Sequence, residues 1–140
     1  MSVVGRAKRM RLRAVVTADT GSAVAEFVMV VSLLTVLTLS VMQLALALHI
    51  RNTVLDAAAE GARFAALADS GPAEGAARTR DLITAALGPS YARQVEAGYG
   101  RYGGHPSAEV RVVAPLPLLG LLGPDRGLEV VGHAAVESPG

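Results

Sequence analysis

The residues able to do chemistry are few and scattered. Three histidines stand far apart, at His49, His105 and His133, and there is no cysteine. Thiol catalysis, disulfides and thiolate metal ligands are therefore excluded. No two histidines have the spacing that puts a metal pair on one helix face. His133 alternates with Glu129 and Glu137 on one face of an expected strand, the bare outline of a His/carboxylate site. The stretch Gly98-Tyr-Gly-Arg-Tyr-Gly-Gly104 is rich in glycine but does not join a strand to a helix, as a phosphate cradle must. No serine, histidine and acid form a recognisable nucleophile elbow. One carboxylate stands out by position. Glu26 directly precedes an uncharged apolar run, and a carboxylate at a bilayer edge is costly without a partner. Gly21 and Ser22 lie just upstream of it.

Those groups must be positioned by a small set of elements. Phe27 to Leu48 carries no charge, and its polar members are Ser32, Thr35, Thr38, Ser40 and Gln43. As a helix this run spans about 33 Å, which matches a bilayer core. Five basic residues precede Ala25 (Arg6, Lys8, Arg9, Arg11 and Arg13) against one acid, Asp19. The positive-inside rule then puts the N-terminus in the cytoplasm and everything after His49 outside it. The run exceeds the apolar region of a secretory signal, and Leu48-His-Ile-Arg51 offers no small-residue cleavage site, so a retained anchor is expected. Composition agrees. Half of the 140 residues are hydrophobic, only 18% are charged, and the net charge of +1 suggests no nucleic-acid partner.

Beyond the run, the helical pattern continues. Residues 22–69 read as one long helix, free of proline and with Gly61 as its one internal glycine. Ala57, Gly61 and Ala65 stand four apart, as do Ala58, Ala62 and Ala66. Such rows allow close backbone approach, either to the domain's own sheet or to a partner helix. Glu60 and Arg63 can pair one turn apart. Ser70-Gly71-Pro72 ends this helix and starts another, with Gly71 as N-cap, and Gly88-Pro89 stops it. Its expected apolar stripe is Ala76, Ile83 and Leu87, flanked by Leu82 and Ala86. Three strands follow by alternation. Val95, Ala97 and Tyr99 face inward in the first, Val110, Val112 and Ala114 in the second, and Leu128, Val130, Ala134 and Val136 in the third. Tyr102-Gly-Gly-His-Pro106 suits a hairpin connection. Between the last two strands, Leu116, Leu118, Leu119, Leu121 and Leu122 form either a core plug or an exposed patch for a partner or the outer leaflet.

The leader boundary, Thr20-Gly21-Ser22-Ala23-Val24-Ala25-Glu26-Phe27, resembles the type III signal of prepilins and pseudopilins. There a basic leader ends in glycine, and Glu-Phe follows at mature positions five and six. Together with Arg51-Asn-Thr-Val54, the stretch from Asp56 to Ala66 and the C-terminal strands, it resembles the TadE/TadG-like family of the tight adherence (Tad, or Flp) pilus system. The resemblance runs from about Ala18 to Glu137, and the compact size is similar to a TadE-like member. It implies an inner-membrane anchor in pilus assembly, no enzymatic activity and no cofactor. It makes Gly21 and Ser22 the leader-cleavage candidates, and Glu26 and Phe27 assembly residues.

The expected architecture is α+β. A basic leader, 1–21, precedes a long helix, 22–69, whose transmembrane part is 27–48. A small extracytoplasmic domain, 70–140, adds a second helix and a three-stranded antiparallel sheet. The expected function is a minor pseudopilin. Its partners are the lipid bilayer, other pilins and Tad assembly proteins, and a prepilin peptidase where the leader is removed. Two other readings stand beside it. One is an unprocessed single-pass anchor whose outer domain binds another secretion component. The other is a membrane-tethered ligand or metal binder.

Overall fold

In the computed structural model, the backbone is described for residues 3–117 and 127–137, and side chains from residue 17 onward. Helix α1 covers Val3–Ala66 and α2 covers Pro72–Leu87. A 3-10 turn, Pro89–Ala92, leads into strands β1 (Gln94–Tyr102), β2 (His105–Ala114) and β3 (Leu128–Ala135). This is the expected α+β set. The start of α1 differs from the expected Ser22, because the helix already runs through the leader and Gly21. Leader residues such as Arg, Lys, Ala, Met and Leu are good helix formers, and a lone glycine weakens a helix without ending it. The helix also stops at Ala66, short of Asp69. Turns there are closed by Leu67 N–H to the Phe64 carbonyl and by Ser70 N–H to the Leu67 carbonyl.

The chain divides into two compact units, Met1–Met42 and Gln43–Gly140. Throughout the described part of the first unit, side chains are exposed, including Phe27 at 69% and Leu33 at 69%. Its hydroxyls are satisfied locally. Ser32, Thr35, Thr38 and Ser40 each donate to the carbonyl four residues back, at 2.6 to 2.8 Å. Backbone and hydroxyls thus bond internally, which an apolar solvent demands. Among the described residues, Thr17–Ala66 is the helix long and apolar enough to cross a membrane. This fits a single-pass anchor.

In the second unit, the sheet order is β1-β2-β3 and both pairings are antiparallel. The β1–β2 connection is a two-residue turn with Gly103 and Gly104 at positive φ, the geometry that closes a tight hairpin. Ile50, Val54, Ala57, Ala58 and Ala62 of α1 join Ala76 and Ile83 of α2 in one buried cluster. The sheet supplies Val95, Val110, Val112, Ala114, Leu128 and Val130 to it. Gly71 and Gly88 cap α2 where expected, and the Gly88 N–H bonds the Thr84 carbonyl. Two expectations about burial fail. Ala86 is exposed, outside the stripe. Tyr99 has its expected inward register but remains 60% exposed. It sits on edge strand β1, with its hydroxyl reaching toward Gly71 at the start of α2. Leu116 is half-buried against the core. Leu118, Leu119, Leu121 and Leu122 lie outside the described residues.

Candidate functional site

The leader boundary is a stretch of regular helix. Gly21, Ser22, Glu26 and Phe27 are all exposed. Ser22 and Glu26 stand one turn apart on the same face of α1. Among the described residues, Glu26 forms no hydrogen bond or ion pair. A Cβ built on Gly21 meets nothing within 4 Å, and Gly21 is not among the positive-φ glycines. Neither packing nor backbone conformation in this chain therefore requires glycine here. A mid-helix glycine costs about 1 kcal/mol relative to alanine.

The glycines of the second unit are different. Ala57, Gly61 and Ala65 face α2, and all three are buried. A Cβ on Gly61 would overlap the Thr79 hydroxyl and stand 2.7 Å from the Gly75 carbonyl oxygen. A Cβ on Gly75 would stand 2.6 Å from both the Ala65 Cβ and the Gly61 carbonyl oxygen. The Thr79 hydroxyl fills this seam, donating toward the Gly75 carbonyl at 2.9 Å and the Ala57 carbonyl at 3.3 Å. The neighbouring row meets the sheet, where a Cβ on Gly132 would stand 2.5 Å from the Ala58 carbonyl oxygen. The small faces thus pack within their own domain. Gly75, Thr79 and Gly132 were missing from the expected packing set. Gly75 and Thr79 repeat the four-residue spacing of the row they face, and that spacing was a readable signal.

The sheet face away from the helices gathers polar groups near the hairpin. His133 stacks on Tyr102 with ring centroids 4.6 Å apart, and its Nδ1 lies 3.4 Å from Glu109 Oε1. This partner is Glu109, directly opposite in the β2–β3 register, rather than Glu129 or Glu137. Glu129 instead accepts from Arg111 at 2.7 Å. Among the described residues, no three histidines or acids are grouped to hold a metal ion. Ser107 Oγ is buried here without a hydrogen-bond partner, beside a small cleft lined by Tyr102, His105 and His133. Among the described residues, no nucleophile, base and third orienting group are brought together. His49 stays exposed near the end of the apolar run, far in sequence from this cluster.

Comparison with known proteins adds one match. The family model described as TadE-like protein matches residues 21–63, from Gly21 through the apolar run and into the packed segment. This is the family that the boundary motif resembles. The likeness covers under a third of the chain and is to a family of Tad pilus-associated components. No curated protein and no solved structure matches the chain.

Proposed function

From the premise that residues 21–63 are TadE-like, we propose that this chain is a minor pseudopilin of a Tad-type pilus. It is held in the inner membrane by α1, with the N-terminus cytoplasmic and the domain outside. It acts by helix association and performs no catalysis. Prepilin peptidase removes the basic leader after Gly21. Glu26 then meets the freed amine of Ser22 on a neighbouring subunit, and Phe27 enters the helix contact.

The observation that carries this reading is the contrast among glycines. Gly61, Gly75 and Gly132 are each required by a close contact, whereas Gly21 answers to nothing in its own chain. Its small size is explained by an outside requirement, and a peptidase that admits almost no side chain before the cut supplies one. Glu26 has the same character, a carboxylate beside an apolar run with no partner among the described residues. A charge pair there gains strength from the low local dielectric.

A second reading is favoured by the continuity of α1 through Gly21. In it the leader is never removed, and the protein is a single-pass anchor whose outer domain binds another secretion component. Mass spectrometry of the mature N-terminus separates the two. The pseudopilin reading expects Ser22 as the first residue, and Gly21→Val should retain the leader and abolish assembly into pili. Glu26→Ala should be cleaved yet assemble poorly. If wild type and Gly21→Val migrate identically and both support pili, the leader is permanent and the anchor reading replaces the first.

A further inference from the structure

One end of the second unit combines features that suit a phospholipid surface. The relation of helix to sheet can be read from two contacts. Gly132 of β3 packs on Ala58 of α1, and Glu137 N–H bonds the Ala66 carbonyl. Strand β3 therefore runs in the same direction as α1. From Gly132 back to Leu128 is about 13 Å of strand, and from Ala58 back to Ile50 is about 12 Å of helix. The Leu128 end of the sheet is thus level with Ile50. Leu128 pairs with Ala114, and Gln94 pairs with the adjacent Val113. The turn Pro89–Ala92, Arg93 and Leu116 consequently sit at this same end, the one from which α1 runs back to exposed Leu44, Leu46 and Leu48.

Two arginines stand at this end among the described residues, and Glu129, one residue into β3, is already paired with Arg111. Arg51 and Arg93 are exposed, and neither forms an ion pair among the described residues. No acid occurs in residues 43–55, 87–95, 113–117 or 127–128. Half-buried Tyr91 and Leu116 lie against the core beside them. Arginine with an apolar stem, tyrosine with one wet end and leucine are the side chains that settle at a membrane interface.

We propose that this end of the domain rests on the headgroup layer of the bilayer. Arg51 and Arg93 bind lipid phosphates, and Tyr91 and Leu116 enter the interface. The domain is thereby held down on the membrane instead of standing off on its helix. The proposal relies on α1 being the membrane anchor, and its test treats that premise separately.

The chain has no tryptophan, so single-tryptophan variants report position cleanly. The full chain is reconstituted in vesicles of anionic phospholipid with brominated acyl chains. Leu44→Trp tests the anchor, Ser90→Trp tests the proposed surface from an exposed position, and Tyr102→Trp tests the far hairpin. Bromine should quench Leu44→Trp and Ser90→Trp with a blue-shifted emission, and should leave Tyr102→Trp unquenched. Adding Arg51→Ala and Arg93→Ala to the Ser90→Trp chain should reduce its quenching. If that pair changes nothing, the phosphate contact is overturned. If Leu44→Trp is quenched while Ser90→Trp behaves like Tyr102→Trp, the proposal fails and the anchor stands. Equal quenching of Ser90→Trp and Tyr102→Trp also overturns it. An unquenched Leu44→Trp removes the anchor premise and the proposal with it.

Discussion

One helix presents two different surfaces. From residue 27 to 48, α1 carries large side chains on every face, and nearly all are exposed. From Ile50 to Ala66, one side is covered and narrows from Ile50 and Val54 to alanine and glycine. The first stretch satisfies its own polar groups and leaves its apolar surface for an outside partner. The second satisfies its apolar surface by letting a helix and a strand approach its backbone. Large side chains around a full circumference suit a fluid apolar solvent. Small ones on two adjacent rows suit fixed neighbours. The family match runs across both stretches.

The widest separation between the two stretches should come from truncating one apolar side chain in each. Ile50 is 2% exposed in the core, and Leu37 is 57% exposed. Ile50→Ala should destabilise the second unit by about 2–5 kcal/mol, since a cavity opens among residues that cannot all collapse into it. Leu37→Ala should leave that unit's stability within about 0.5 kcal/mol. Amide hydrogen exchange of β2 in the intact, detergent-solubilised chain reads both. Equal losses of protection would break the division of α1 into an outward-facing and an inward-facing half.

Glycines give the next largest contrast. Gly61→Ala and Gly132→Ala should each cost about 1–3 kcal/mol, because a new methyl must displace Thr79 or the α1 backbone. Gly21→Ala should instead leave the domain unchanged and firm its helix by up to about 1 kcal/mol. Ala59→Leu, on a half-buried position beside the packed rows, should cost less than Gly61→Leu. A loss of domain stability in Gly21→Ala would show that Gly21 has a structural duty in its own chain. The case for a peptidase requirement would then lapse.

How much of this was legible in sequence follows the same division. The limits of α2 could be read from Gly71-Pro72 and Gly88-Pro89, because those residues act through local backbone geometry. The inward positions of β2 could be read from strict alternation. Thr79 could not be found by a search for apolar stripes, because its hydroxyl is buried by bonding to two carbonyls. In sequence Gly75 is only a mid-helix glycine, and the contact with Ala65 that requires it comes from the fold. Tyr99 was assigned to the correct face, yet sheet alternation says nothing about where the covering helix ends. The start of α1 lies at Val3 rather than the expected Ser22, because a lone glycine such as Gly21 weakens a helix without ending it. The proposed site is legible only as the spacing of Gly21 and Glu26, because the chemistry proposed for it lies between chains.

The smallest effect concerns two threonines that look alike locally. Thr38 and Thr79 each donate to the carbonyl four residues back, at 2.8 and 2.9 Å. Only Thr79 also reaches another helix, through the Ala57 carbonyl at 3.3 Å. Replacement by valine preserves the shape of both side chains and removes the hydroxyl. At Thr38 the lost bond is within one turn, its carbonyl keeps the backbone helix bond, and valine is at home in an apolar run. The change should stay within about 0.5 kcal/mol of neutral in either direction. At Thr79 the new methyl must sit against the Gly61 backbone and the Gly75 carbonyl. The Ala57 carbonyl loses its second donor in a site closed to water. Thr79→Val should therefore cost about 1 kcal/mol, and Thr79→Ser, which keeps the donor and gives up a methyl, should recover part of it. Thermal unfolding of the three variants beside wild type measures the difference. A neutral Thr79→Val would mean that the seam between α1 and α2 is held by shape alone. The hydroxyl would then be a space-filling group, and the contrast between the halves of α1 would reduce to side-chain volume.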